Sequence, residues 1–194
     1  MIELVCATKN KGKAAEIAAL LASEYDVLTL DELGIVEDMN EDGKTFEENA
    51  IKKAVGFMKL TGKIVLADDS GLEIDALDGA PGVYSARFLG RDTSYFVKNR
   101  KLLERLAGAE NRKARFRCVI AVAFPDGRVL TSAAALEGEI AHEPVGEGGF
   151  GYDPVFYIPE YQMTLAQMGT EQKNKISHRG KALADMKKLL CESD

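Results

Sequence analysis

The chain has 194 residues, 46% of them hydrophobic and 29% charged, the composition of a water-soluble globule long enough to bury a core as one large domain or two small lobes. Twenty-five Lys and Arg against 31 Asp and Glu give a net charge of -6, which disfavours bulk attraction to a nucleic-acid polymer or an anionic membrane and leaves room for a small anion where cations cluster. "MIELVCATKN" has neither the basic segment nor the apolar run of a signal peptide, and no stretch approaches a membrane span, so the expected location is cytoplasmic. Cys6, Cys118 and Cys191 are odd in number and scattered, which fits reduced, structural thiols better than a disulfide framework or metal site.

No repeat, low-complexity tract or linker interrupts the chain. "IELVCA" reads as a buried strand, and "KAAEIAALLAS" has the apolar spacing of a helix opened by Gly12 and Lys13. "DVLTL" is a second strand. "TFEENAIKKAVGFMKL" is a helix with Thr45 as N-cap, Glu48 completing a capping box and Gly62 as its stop. "KIVLA" is a third strand, expected to end at Asp68 and Asp69. A helix over "SYFVKNRKLLERLAG" then starts near Asp92 or Thr93 and closes at Gly108. The pattern changes at "RKARFRCVIAVAFPDGRVLTSAAALEGEIA", which alternates on both sides of "PDG" as an antiparallel hairpin does. A short strand "PVFYI" and a helix "HRGKALADMKKLL" finish the chain. These elements predict an α/β fold: a central twisted mixed sheet flanked by helices, with a βαβ-like half, a long β-hairpin half and a cleft between them.

Five segments carry chemistry. "ATKNKGK", residues 7–13, joins the first strand to the first helix, where free backbone N–H groups and the helix dipole meet the charges of Lys9, Lys11 and Lys13. That suits phosphate, although the same loop reads equally as a solvated basic turn. It is not a Walker A loop, because Ala7 stands at the first glycine and Ala14 at the Mg-binding hydroxyl. In "NEDGKTFEENAIKKA", Lys53 is either an exposed partner of a helix carboxylate or a second phosphate cation, and the acids upstream, Glu37, Asp38, Glu41 and Asp42, offer a carboxylate to a hard cation such as Mg²⁺.

"ADDSG" places Asp68 and Asp69 where ligand sites of α/β sheets form. Adjacent strand residues point to opposite faces, so the two carboxylates are expected to do different jobs. "GEGGFGYDPVF" is a Gly-rich loop in which Phe150 and Tyr152 offer aromatic faces to a planar base, or simply anchor the loop. "EQKNKISHRGKAL" supplies Lys173, Ser177, His178 and Arg179 as donors, while His142 reads as surface.

Taken in order, "ATKNKGKAAEI", "TFEENAIKKA", "LADDSGLEIDALDGAPGVYSARF", "GGFGYDPVF" and "ISHRGKAL" resemble the motifs of the inosine triphosphate pyrophosphatase family over nearly the whole chain. The resemblance implies a single pyrophosphatase domain over residues 1–194, elongated and two-lobed around a central cleft, usually homodimeric. It implies Mg-dependent hydrolysis of non-standard purine nucleoside triphosphates (ITP, dITP, XTP) to monophosphate and pyrophosphate. Thr8, Lys9, Asn10, Lys11, Gly12 and Lys13 would hold the triphosphate with Lys53. Asp69 would be general base and Mg²⁺ ligand, with Ser70 touching substrate beside it. Phe150, Gly151, Tyr152 and Asp153 would line the base pocket, and Lys173, His178 and Arg179 would read the base edge. Asn40 departs from the family pattern, standing where relatives carry glutamate, and Glu41 is the nearest acid to replace that metal ligand.

The residues leave rival readings. A nucleotide sensor would keep the site without turnover, and a nucleic-acid binder would use the basic loop and aromatics against an unfavourable net charge. A pyrophosphatase for modified pyrimidine nucleotides is the nearest rival among enzymes.

Overall fold

The structure is a computed structural model and describes residues 2–192. Seven strands form one mixed sheet in the order β2-β1-β3-β4-β5-β6-β7: β1 Ile2–Cys6, β2 Tyr25–Thr29, β3 Val65–Ile74, β4 Lys113–Ala123, β5 Val129–Ile140, β6 Phe156–Ile158 and β7 Met163–Thr164. β1 pairs in parallel with both β2 and β3, whereas β6 is antiparallel to β5 and to β7. β4 and β5 are neighbours joined through a tight turn in which Phe124 donates to and accepts from the turn backbone, so they form the expected hairpin. Among the described residues five α-helices accompany the sheet: α1 Lys11–Leu21, α2 Phe46–Thr61, α3 Tyr95–Arg105, α4 Thr170–Ile176 and α5 His178–Glu192.

Two compact units divide the chain. Among the described residues the first holds 2–69, 118–134 and 178–192, the second 70–117 and 135–177. β3, β4 and β5 each run from one unit into the other.

In the first unit the period-two alternation of the strands explains why helices cover both faces. Leu4 and Cys6 of β1 and Leu66 of β3 pack with Ile17 and Leu21 of α1 and with Ala182, Leu183, Met186 and Leu190 of α5. The intervening Val5, Ala7, Val65 and Ala67 pack instead with Ala50, Ala54 and Phe57 of α2. In the second unit Leu72, Ile74, Leu102, Leu106, Phe116 and Phe156 form a separate core.

The helix caps follow the sequence closely. Thr45 accepts from the Glu48 N–H at 3.1 Å, and Gly62 ends α2 in the left-handed conformation at φ 66°. The reciprocal half of the capping box is displaced, since the Glu48 carboxylate takes the Lys44 N–H at 2.7 Å. α3 is capped by Ser94, one or two residues beyond the expected start.

The larger difference lies in β3. It does not end at Asp68 but continues through Asp68, Asp69, Ser70 and Gly71 to Ile74. An acidic pair normally terminates a buried strand, and here cations from three helices make its burial tolerable. Cys6 and Cys118 are buried free thiols, each pushed up to about 12 by burial first and by the Asp68 charge second, and Cys191 is exposed. Among the described residues no helix is long and apolar enough to cross a membrane.

Candidate active site

The alternation that sorts the core also sorts the two aspartates. Asp68 follows Leu66 toward α1 and α5, and Asp69 follows Ala67 toward α2. Asp68 is fully buried. Its Oδ2 lies 3.0 Å from Lys13 Nζ, 3.3 Å from Arg179 Nε and 3.2 Å from Arg179 Nη2. Arg179 also donates through Nη1 to the Glu16 carboxylate, so α1, β3 and α5 meet in one buried ionic cluster. Burial pushes the Asp68 carboxyl up, but the charges of Lys13, Arg179 and Lys53 more than reverse this and hold it far below the ordinary carboxylate range.

Asp69 sits in a different environment. Its Oδ2 accepts from Asn49 Nδ2 of α2 at 2.9 Å, and Asn49 Oδ1 in turn accepts from the Gly43 N–H at 2.8 Å. Only glycine permits that approach, because a Cβ at position 43 would come within 2.6 Å of Asn49 Oδ1. Lys53, one helical turn beyond Asn49, donates to the Asp68 carbonyl and lies 2.8 Å from Glu41 Oε1. Burial pushes the Asp69 carboxyl up, and Lys53, Lys13 and the Asn49 amide recover only part of that shift. The Lys53 ammonium is disfavoured by burial, yet Asp68, Asp69 and Glu41 carry it above its usual range.

The first unit thus gathers Lys13, Glu41, Lys53 and Asp69 from four separate stretches of sequence. Glu41 is brought to the site, whereas Asn40 is exposed and donates to Asp42 at 3.0 Å. Asn10 caps α1 by accepting from the Lys13 N–H at 3.1 Å, and Thr8 accepts from the Asn10 N–H at 3.2 Å, which folds the loop ahead of the helix. Lys9 reaches the Val36 carbonyl at 2.9 Å, and Lys11 is exposed.

Among the described residues no three His, Cys, Asp or Glu side chains cluster as a complete metal cage. Asp69 and Glu41 nonetheless offer the oxygen donors that a hard cation takes when most of its remaining ligands are water and phosphate oxygens, and Lys53 now neutralises Glu41.

The second unit holds the other candidate group. Asp153, 4% exposed, accepts from the Phe150 N–H at 2.8 Å and from Lys173 Nζ at 2.7 Å. The Lys173 ammonium stands 4.6 Å from the centre of the Phe150 ring, so one buried ion pair fixes both the loop and its aromatic. Tyr152 is placed differently from Phe150: its ring is in the core, edge-on to Tyr95 at 5.3 Å, and its hydroxyl donates to the Ser85 carbonyl at 2.8 Å. His178 is buried at the start of α5, and Arg179, expected at the base edge, makes its bonds to Asp68 and Glu16. His142 is exposed, as read from the sequence.

Sequence reasoning did not find Asn49, Glu16 or Asn99. Asn49 and Glu16 look like ordinary helix-surface polar residues, and only their contacts with Asp69 and Arg179 mark them.

Fold and site together define an α/β protein with a buried carboxylate pair, one member neutralised by cations and the other held ready beside lysines. The chain belongs to the Ham1 family, whose model matches residues 4–189. It is 53% identical to a dITP/XTP pyrophosphatase of Desulforamulus reducens over 97% of this chain and 96% of that protein, and 48% identical to one of Bacillus subtilis over 98% of each. Among solved structures, a Ham1 protein of Staphylococcus aureus matches with a TM-score of 0.89 at 42% identity, covering 99% of this chain and 100% of that one. A nucleoside-triphosphatase, dITP/XTP pyrophosphatase, of Mycobacterium abscessus matches with a TM-score of 0.77 at 37% identity, covering 95% and 98%.

Proposed function

We propose that this protein hydrolyses non-standard purine nucleoside triphosphates, ITP, dITP and XTP, between the α and β phosphates, releasing the monophosphate and pyrophosphate and so clearing them from the cytoplasmic pool. The observation that carries the reading is the division of labour between Asp68 and Asp69, in a chain whose relatives bear the name dITP/XTP pyrophosphatase.

Lys13 and Lys53 supply fixed positive charge for a triphosphate, together with the N–H groups at the start of α1. Asp69, oriented by Asn49, positions the attacking water and takes its proton. As the α–β bridge breaks, negative charge grows on the leaving pyrophosphate, and the lysines neutralise it without having to reorganise. Asp69 and Glu41 would hold Mg²⁺, which when bound acidifies water and shields phosphate oxygens.

The base is read in the second unit by the Phe150 loop and Lys173. Hypoxanthine and xanthine carry an oxygen at position 6 where adenine has an amino group, so cationic and N–H donors pair with the former and mismatch the latter. A buried donor set of that kind rejects the wrong partner by about 10⁴. GTP shares the position-6 oxygen and must be refused at position 2. The test is a panel of ITP, XTP, dITP, GTP and ATP assayed for pyrophosphate with and without a divalent metal. Metal-dependent release from the first three and little from the last two is expected, and equal kcat/KM for GTP and ITP would overturn the selectivity.

A further inference from the structure

Helix α3 holds the Phe150–Asp153 loop from behind. Tyr95 packs edge-on against Tyr152, and the Asn99 side chain donates through Nδ2 to the Gly151 carbonyl at 3.1 Å. The orientation of that amide is fixed, since turning it over would set Asn99 Oδ1 against the Gly151 oxygen, two acceptors with no proton between them. In the orientation that remains, Asn99 Oδ1 has no hydrogen-bond partner among the described residues, although Asn99 is only 4% exposed. An unmet buried acceptor carries a desolvation penalty, and a leucine of similar volume would pack without it. The donor side of the amide is therefore what the position is for.

What it holds is intrinsically loose. Gly151 has φ 70°, and without a side chain its peptide turns against little steric resistance. The polar tethers of the loop at this point include the Phe150 N–H on the Asp153 carboxylate, the Asp153 N–H on the Phe150 carbonyl and the Gly151 carbonyl on Asn99. Releasing the last lets the Gly151 peptide turn next to the Phe150 ring that the Asp153–Lys173 pair holds.

We propose that Asn99 is a positioning residue for base recognition: by holding the Gly151 carbonyl it sets the Phe150 loop, so its loss weakens base binding and leaves triphosphate binding intact. The proposal rests on the base-reading role given above to that loop.

The test compares the full-length wild type with Asn99→Leu, Asn99→Asp and Phe150→Ala. Read out are KM and kcat for XTP, the inhibition constant of inorganic tripolyphosphate, which has no base, and the thermal midpoint. Asn99→Leu is expected to raise KM about tenfold, the worth of one hydrogen bond, with kcat and tripolyphosphate inhibition unchanged. Its midpoint changes little, because the orphan Asn99 acceptor leaves with the amide while the Gly151 carbonyl loses its donor. Asn99→Asp, which keeps the shape and sets a second acceptor against the Gly151 carbonyl once its carboxyl is ionised, raises KM at least as much at high pH and serves alone if the leucine variant does not fold.

A raised KM in Phe150→Ala with an unchanged KM in both Asn99 variants overturns the role of Asn99 and leaves the base-reading loop standing. An unchanged KM in all three overturns the loop's role as well. Equal losses in KM, tripolyphosphate inhibition and midpoint would make Asn99 a structural residue only, and overturn the proposal.

Discussion

Lys13 Nζ lies 3.0 Å from the carboxylate of Asp68, a side chain with no solvent exposure, so the lysine at the start of α1 is anchored to the centre of the sheet. Asp68 thus holds cations in place, and Asp69, one residue on and facing α2, is the group to which we assign the chemistry.

Asp68→Asn is expected to destabilise the protein by about 3–5 kcal/mol, since it leaves Lys13 and Arg179 buried without their shared counter-charge. Denaturant unfolding measures this. The pH dependence follows from the depressed carboxyl: the folded form binds this proton more weakly than the unfolded chain, so the stabilisation is complete above about pH 4 and drains away as pH falls toward the folded value. Wild-type stability should therefore fall more steeply with acid than that of Asp68→Asn. Parallel profiles would remove Asp68 from the account.

Asp69→Asn is expected to lose at least about 10²-fold in kcat. The sign of the stability change is opposite to that at Asp68. Because burial raises the Asp69 carboxyl, its ionised form costs stability as pH rises through the folded value, and a neutral amide removes that cost. The metal-free variant should melt higher than the metal-free wild type at neutral pH. Added Mg²⁺ should raise the wild-type midpoint and leave that of the variant in place.

Gly43→Ala places a methyl group 2.6 Å from Asn49 Oδ1 and 2.9 Å from the Glu48 Cβ. Asn49 must move, and Asp69 moves with it. Overpacking of this kind costs about 1–3 kcal/mol, so the expected variant is folded, modestly destabilised and poorly active. Activity equal to the wild type would show that the Gly43–Asn49–Asp69 chain does not orient the carboxylate.

Lys173→Met removes the cation that pairs with the buried Asp153, at an expected cost of about 3–5 kcal/mol. Asp153→Asn/Lys173→Met together should cost less than the sum of the two, because no lone charge is left behind. Thermal melts of the four proteins provide the cycle, and additive losses would contradict a coupled pair.

Most of the helices and strands were legible because their apolar spacing and caps agree with the tertiary structure: Thr45, Gly62 and the "PDG" turn mark boundaries that the fold uses. The acidic pair misled at one point. "ADDSG" has the local signature of a strand end, and it continues as strand because Lys13, Lys53 and Arg179 arrive from remote positions. The opposite facing of Asp68 and Asp69 was legible from alternation alone. Glu16, Asn49 and Asn99 were not, since a polar residue on a helix carries no sign of what it meets across the sheet or loop. The two-residue strand β7 and the seven-residue α4 are too short for periodicity to register.

The central claim, water attacking between the α and β phosphates at Asp69, is tested most directly by following XTP turnover with phosphorus NMR. The account predicts XMP and pyrophosphate in equal amounts from the first turnover, and their absence with Asp69→Asn. Orthophosphate with XDP, or unchanged turnover in the variant, would contradict it.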